Sequence, residues 1–296
     1  MSALLMLAAA LGGTPARPPL DDHVVSVSWL KQHLKDRDLV ILQVVRRADS
    51  MMPHIPGSQL VDGSTFERDD MGSGATMDMS RLPSAEELHA KMSRFGISNG
   101  SHVVAVFTGN QLPSATRMML LLEYGGIERV SLLDGGFEAW KRAGSAVATD
   151  RLVPPPGRVT APLHTQVAVD YAYVQQHLRA PHFRIIDARD PVYYTSTTEM
   201  AGKMAMAAGH IPGAKNVPFT SLSNDDGLLI SPEQIRAKFR AAGVEPGDTV
   251  IAYCHVGMQA TAVVLGAQLI GQPVRLYVGS FHDWADHKLP IEFSKP

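Results

Sequence analysis

Short apolar runs alternate with amphipathic stretches along this chain, and the same order of elements occurs twice. In the first half, residues 39–45, 102–107 and 130–133 are β-former-rich runs that suit strands covered on both faces. Between them, 27–34, 84–95 and 114–124 carry helical spacing, with Ser26 or Ser28 placed to cap the first helix and Gly96 to stop the second. The polar, glycine- and methionine-containing stretch 64–81 reads as a mobile surface loop. In the second half, 183–187 and 250–253 are the strand-like runs, and 169–178 and 260–270 the helical ones. Strands alternating with helices predict an α/β fold, two domains each built on a mostly parallel central sheet flanked by helices.

Short motifs mark the duplication. His54-Ile55-Pro56-Gly57 returns as His210-Ile211-Pro212-Gly213, and Gly135-Gly136-Phe137-Glu138-Ala139-Trp140 as Gly279-Ser280-Phe281-His282-Asp283-Trp284. Pro154-Pro155-Pro156-Gly157 lies between the halves as a stiff linker. The expected organisation is an opening segment 1–20, a first domain 21–149, a linker 150–164 and a second domain 165–296.

One stretch breaks the symmetry in a way that matters for chemistry. Val250 to Tyr253 is an apolar run that reads as a strand, Cys254 follows it, a short loop passes through Gly257, and an uncharged helix runs on from Ala260. The strand end in an open α/β sheet is where ligands bind. Amides of such a loop and of the first helical turn would face the sulfur and favour its thiolate. A lone cysteine after an apolar strand is more often a small buried hydrophobe, so position alone does not decide the matter. Aligning Val103 with Val250 puts Phe107 opposite Cys254, so the first half has no nucleophile at the equivalent place.

The loop Cys254-His255-Val256-Gly257-Met258-Gln259 resembles the six-residue active turn of rhodanese-type sulfurtransferases in their tandem two-domain form. Asp187-Ala188-Arg189, Gly209-His210-Ile211-Pro212-Gly213-Ala214 and Leu276-Tyr277-Val278-Gly279-Ser280-Phe281 leading to Trp284 are similar to further family marks, in the family's order. The resemblance implies that Cys254 is the nucleophile. It takes a sulfane sulfur from a small donor such as thiosulfate, holds it as a persulfide, and passes it to a thiol or cyanide acceptor. It also implies donor contacts from His255, Val256, Gly257, Met258, Gln259 and Ala260, with Tyr193 as a further one, and a supporting ion pair of Asp187 with Arg189. His54 could face the cleft, because some relatives that use mercaptopyruvate have a functional histidine in this motif. Thiosulfate-specific relatives carry arginine and lysine where this chain has His255 and Val256, and arginine where it has Tyr193; mercaptopyruvate-specific ones carry glycine and serine in the loop. This chain matches neither pattern. A phosphatase built on the same geometry would need a loop one residue longer ending in an arginine to grip phosphate; Ala260 stands there. Two readings from other classes stay open: a persulfide carrier or sensor serving a protein acceptor, and an inert tandem binding module.

Composition narrows the field further. In 296 residues the net charge is −2 and 45% are hydrophobic, so no basic surface for nucleic acid is expected. A single cysteine excludes an internal disulfide framework and cysteine-rich metal sites, and the twelve histidines form no metal-ligand spacing. Neither a cofactor nor a metal is called for. Residues 2–11 are an apolar run too short to span a bilayer but fitting the hydrophobic region of a signal peptide, followed by small residues. Export to a periplasm is therefore expected. Against it, no Lys or Arg precedes the run, and without cleavage the protein would be cytoplasmic.

Overall fold

A computed structural model describes residues 22–46, 52–72, 78–196 and 208–293. The apolar opening run lies outside the described residues. Among the described residues, ten strands form two five-stranded sheets, ordered β1-β5-β4-β2-β3 and β6-β10-β9-β7-β8. The first comprises β1 (Val24–Val25), β2 (Leu39–Val45), β3 (Ser58–Asp62), β4 (His102–Phe107) and β5 (Arg129–Leu133). The second comprises β6 (Ala168–Val169), β7 (Phe183–Asp187), β8 (Lys215–Asn216), β9 (Thr249–Tyr253) and β10 (Val274–Tyr277). Every pairing within both sheets is parallel, and β4 and β9 hold the same central place.

Local chemistry explains the element ends. Ser26 caps the helix Val27–His33 by accepting from the Trp29 amide, Asp170 caps Tyr171–His177 through Tyr173, and Ser84 caps Ala85–Arg94 through Glu87. Ser231 and Gln234 form a reciprocal capping box on Pro232–Ala241. The helix Leu112–Tyr124 begins two residues earlier than the periodicity suggests, with proline in its first turn.

The halves meet through two helices, Leu112–Tyr124 from the first and Ala260–Leu269 from the second. Both are apolar nearly all round, because each is sandwiched between its own sheet and the other helix. One cluster of buried apolar side chains runs from Leu42, Val44 and Ala105 through Met119, Leu120, Val263 and Val264 to Ala252 and Leu276. The first half is thus a wall of the second's core as well as a folded unit.

The stretch 64–81 departs in part from the expected surface loop. Phe66, Glu67 and Met79 are buried, and Arg68 is buried while bonded to Asp78 and Asp70. Ser64, Asp69, Asp70, Gly72 and Arg81 stay exposed, so among its described residues the stretch is a surface segment anchored by a few buried side chains. The linker is also held. Ser93 Oγ donates to the Gly157 carbonyl at 2.6 Å, and Asn99 bonds Thr160 through both backbone and side chain.

Candidate active site

Cys254 follows β9 directly, at the carboxyl end of the central strand, and is only 1% exposed. Its amide donates to Ser280 Oγ at 3.1 Å and its carbonyl accepts from the Phe281 amide at 3.0 Å. Ser280 is itself fully buried in a left-handed conformation (φ 57°) and donates to the Tyr277 carbonyl. A left-handed non-glycine residue is uncommon. Here it lets one hydroxyl and the next amide clamp both sides of the Cys254 backbone.

The loop carbonyls are almost all engaged. His255 O accepts from the His282 amide at 3.0 Å, and Gly257 O from Arg117 Nη1 at 3.4 Å. Met258 O accepts from the Thr261 hydroxyl at 2.6 Å and amide at 3.2 Å, and Gln259 O from the Ala262 amide. The amides are the reverse. Among the described residues, no backbone N–H from His255 through Ala260 donates to a protein acceptor. Backbone donors within a fold are paired in the great majority of cases, and a run of six free ones between a strand end and a helix start is an arrangement able to hold negative charge.

Of the residues singled out from the sequence, all but His54 are drawn to this corner. Tyr193 stands edge-on to His255, ring centroids 4.6 Å apart. Asp187 and Arg189 are both fully buried and paired, with Nη2–Oδ2 at 2.6 Å. Arg189 lies over the Phe281 ring at 4.1 Å, and the Tyr253 hydroxyl donates to Asp187 at 2.7 Å. The pair thus supports the residues on either side of the Cys254 backbone, and the Arg189 charge is spent on Asp187 and the Gly209 carbonyl. Gly257 and Ala260 are buried; His255, Val256, Met258 and Gln259 are half-buried. Met258 borders a cavity of about 300 Å³ between the halves, shared with Arg46, Glu67, Met71 and Met79. A larger cavity of about 1170 Å³ lies in the first half beside β3 and the start of the linker, and no loop residue lines it. His54 borders that larger space. Its Nε2 is 2.6 Å from the Asp150 carbonyl, so the ring is tied into the first half and away from Cys254.

The surroundings of His255 keep its ring neutral. An exposed imidazole would titrate near 6.5, but burial, with a smaller contribution from Arg189, holds this one down to about 4. It offers no fixed cation at neutral pH. Below pH 6.5 the unfolded chain takes up a proton that the folded one refuses until about pH 4, so this group lowers stability as pH falls through that window. In His255→Gln, the drop in melting temperature between pH 7.5 and pH 5 should be smaller than in the wild type. Equal drops measured by thermal unfolding would show that His255 titrates normally.

Sequence reasoning missed Ser280, Glu67, Thr116, Arg117 and Thr261. Arg117 had a legible signal: it is the only charge between Leu112 and Leu122 in an otherwise apolar helix.

Comparison with known proteins agrees with this architecture. A family model described as Rhodanese-like domain matches residues 26–143 and again 170–287. The chain is 32% identical to the thiosulfate sulfurtransferase of Bos taurus over 249 residues, covering 83% of this chain and 82% of the relative. It is 32% identical to the 3-mercaptopyruvate sulfurtransferase of Homo sapiens over 284 residues, 91% and 94% of the two chains. It is 30% identical to the sulfur carrier protein TtuD of Thermus thermophilus over 276 residues, 89% and 93%. Among solved structures, the anaerobic ergothioneine biosynthesis enzyme from Chlorobium limicola superimposes with a TM-score of 0.78 at 23% identity. That match covers 93% of this chain and 71% of that one, and the likeness is one of fold.

Proposed function

This chain belongs to the rhodanese family of sulfurtransferases, and on that footing we propose that Cys254 is its nucleophile and the amides of residues 255–260 its anion cradle. The observation that supports this most directly is the run of unpartnered amides around the only thiol in the chain. In the first step the Cys254 thiolate attacks the outer sulfur of a sulfane donor. With thiosulfate, the S–S bond breaks and sulfite leaves with the electron pair, its negative charge met by the same amides that held the thiolate. In the second step an acceptor thiolate or cyanide attacks the outer persulfide sulfur. Cys254 leaves as thiolate, and the acceptor departs as persulfide or thiocyanate. Mass spectrometry of the intact protein after incubation with thiosulfate tests this: one added sulfur, lost on adding cyanide, is expected. Thiocyanate release without any protein adduct would sink the mechanism.

A protein acceptor is the second reading for the sulfur's destination, favoured by the similarity to a relative named as a sulfur carrier. Turnover separates the two, since a carrier given only small molecules stops after one equivalent while an enzyme cycles.

The neutral loop bears on the donor. Val256 is apolar, His255 is uncharged, and Arg189 is committed to Asp187. A doubly charged donor therefore meets amides but no free cation within the loop. One added cation about 5 Å from the anion gains roughly 3 kcal/mol at an effective dielectric of ~20, which solvent and side-chain entropy reduce to about 1 kcal/mol. Val256→Lys is expected to lower the KM for thiosulfate about five- to tenfold while changing little for a weakly charged donor. Saturation of the wild type at micromolar thiosulfate, with no gain from lysine, would mean that another group supplies the charge.

A further inference from the structure

Resting on Cys254 as the nucleophile, we propose that Arg117 and Thr116, on the half that has no nucleophile, are positioning residues that set the direction of the cradle's amides. Arg117 is fully buried, and Glu67 beneath it is 2% exposed. Two of its N–H groups are taken by Glu67, Nε to Oε1 at 2.6 Å and Nη2 to Oε2 at 3.0 Å. That side-on grip fixes the guanidinium plane and leaves Nη1 aimed across the interface at the Gly257 carbonyl, 3.4 Å away. Glu67 is itself anchored, because Lys91 Nζ donates to its backbone carbonyl. One residue before Arg117, the Thr116 hydroxyl lies 2.7 Å from that of Thr261, which donates to the Met258 carbonyl at 2.6 Å.

These contacts act on the loop through the peptide plane. In a trans peptide the C=O of one residue and the N–H of the next point in opposite directions, and no described peptide bond is cis. Holding the Gly257 carbonyl toward the first half therefore turns the Met258 amide away from it, into the cradle. Holding the Met258 carbonyl does the same for the Gln259 amide. Gly257 does not set that direction through its own backbone preference: it is a glycine at φ +81°, a residue that adopts many backbone directions at little cost. An interface needing only adhesion would be filled more cheaply by apolar side chains than by a buried ion pair, as the packing around Met119 and Val263 illustrates. What leucine or methionine could not supply is a donor aimed at Gly257. The half without a nucleophile would in this way complete the active site of its neighbour.

The test separates positioning from mere stability. Glu67→Gln/Arg117→Met removes both charges together, so no uncompensated ion is left buried. Thr116→Val removes one hydroxyl at constant volume and serves if the double variant does not fold. Cys254 is then followed in each folded protein with two reagents, thiosulfate and neutral iodoacetamide, at a pH high enough to ionise the thiol throughout. Sulfur transfer from thiosulfate is expected to fall about tenfold in the double variant and about threefold in Thr116→Val. Alkylation should stay within about twofold of the wild type, because an uncharged reagent gains little from oriented amides. Arg117→Lys, which keeps a cation beside Glu67 and a donor toward Gly257, should recover part of the loss. Equal changes with both reagents, or none, would overturn the proposal and leave these residues as structural. A wild type that accepts no sulfur at all is a different result: it would overturn the reading of Cys254 and the positioning role with it.

Discussion

Cys254→Ala is expected to form no persulfide and to lose sulfurtransferase turnover by a factor of at least about 10⁴. The size of the effect follows from there being no second thiol in the 296 residues to substitute for it. Nor can the cradle act on its own: oriented amides stabilise charge on a nucleophile or a leaving group, and without the sulfur neither forms. Cys254→Ser should be as inactive, since a hydroxyl is hardly ionised at neutral pH, yet it fills the same buried space. The fold should survive both changes, because removing one sulfur from a site 1% exposed leaves a small cavity costing about 1 kcal/mol. Intact mass after thiosulfate treatment, thiocyanate release and thermal unfolding check the three parts of this expectation. Turnover surviving in a well-folded alanine variant would remove Cys254 from the mechanism.

What the sequence disclosed and what it hid differ in physical kind. The run Val250 to Tyr253 suited a covered strand, which put Cys254 at the carboxyl end of a sheet. The recurrence of motifs then placed Phe107 at the matching spot in the first half, where β4 ends. These are consequences of local pattern, and the loop's free amides follow from the same strand–turn–helix geometry. The partners of the loop carbonyls were not legible in that way. Ser280 matters because it adopts φ 57° and lies beside Cys254 across the fold, although they are 26 positions apart along the chain. Glu67 sits in a stretch whose polarity read as solvated loop, and only its pairing with Arg117, 50 positions on, reveals that it is buried. Arg117 did stand out as the one charge in the apolar run from Leu112 to Leu122, but the acceptor it reaches, Gly257, is 140 positions further along and in the other half. Charges that are paired within the fold look, in sequence, the same as charges that face water. His255 shows the same limit for ionisation: its type suggests a titrating group, and its surroundings keep it neutral.

Gly257→Ala is expected to lower sulfur transfer by about 10²- to 10³-fold while the protein remains folded. Two costs meet at this position. An alanine at φ +81° bears left-handed strain of about 1–2 kcal/mol. Its Cβ would also lie 2.4 Å from the Val278 carbonyl oxygen, a backbone atom with no flexible end to swing aside. Either the loop or residue 278 must yield, and both lead to Cys254. Val278 runs through Gly279 into Ser280 and Phe281, which hold the amide and carbonyl of Cys254, while the loop side carries the Gly257 carbonyl held by Arg117. A shift approaching 1 Å on either path misaligns the cradle with the sulfur, and displacements of that size at a reacting centre cost on the order of 10²-fold. Gly271 provides the control. It has φ +67° and nothing within 4 Å of its would-be Cβ. Gly271→Ala should therefore lose about 1–2 kcal/mol of stability from strain alone and transfer sulfur at the wild-type rate. Urea unfolding and single-turnover transfer from thiosulfate, run on both variants, separate strain from misalignment. If Gly257→Ala turns over as the wild type does, the geometry of the 255–260 loop is not what activates Cys254.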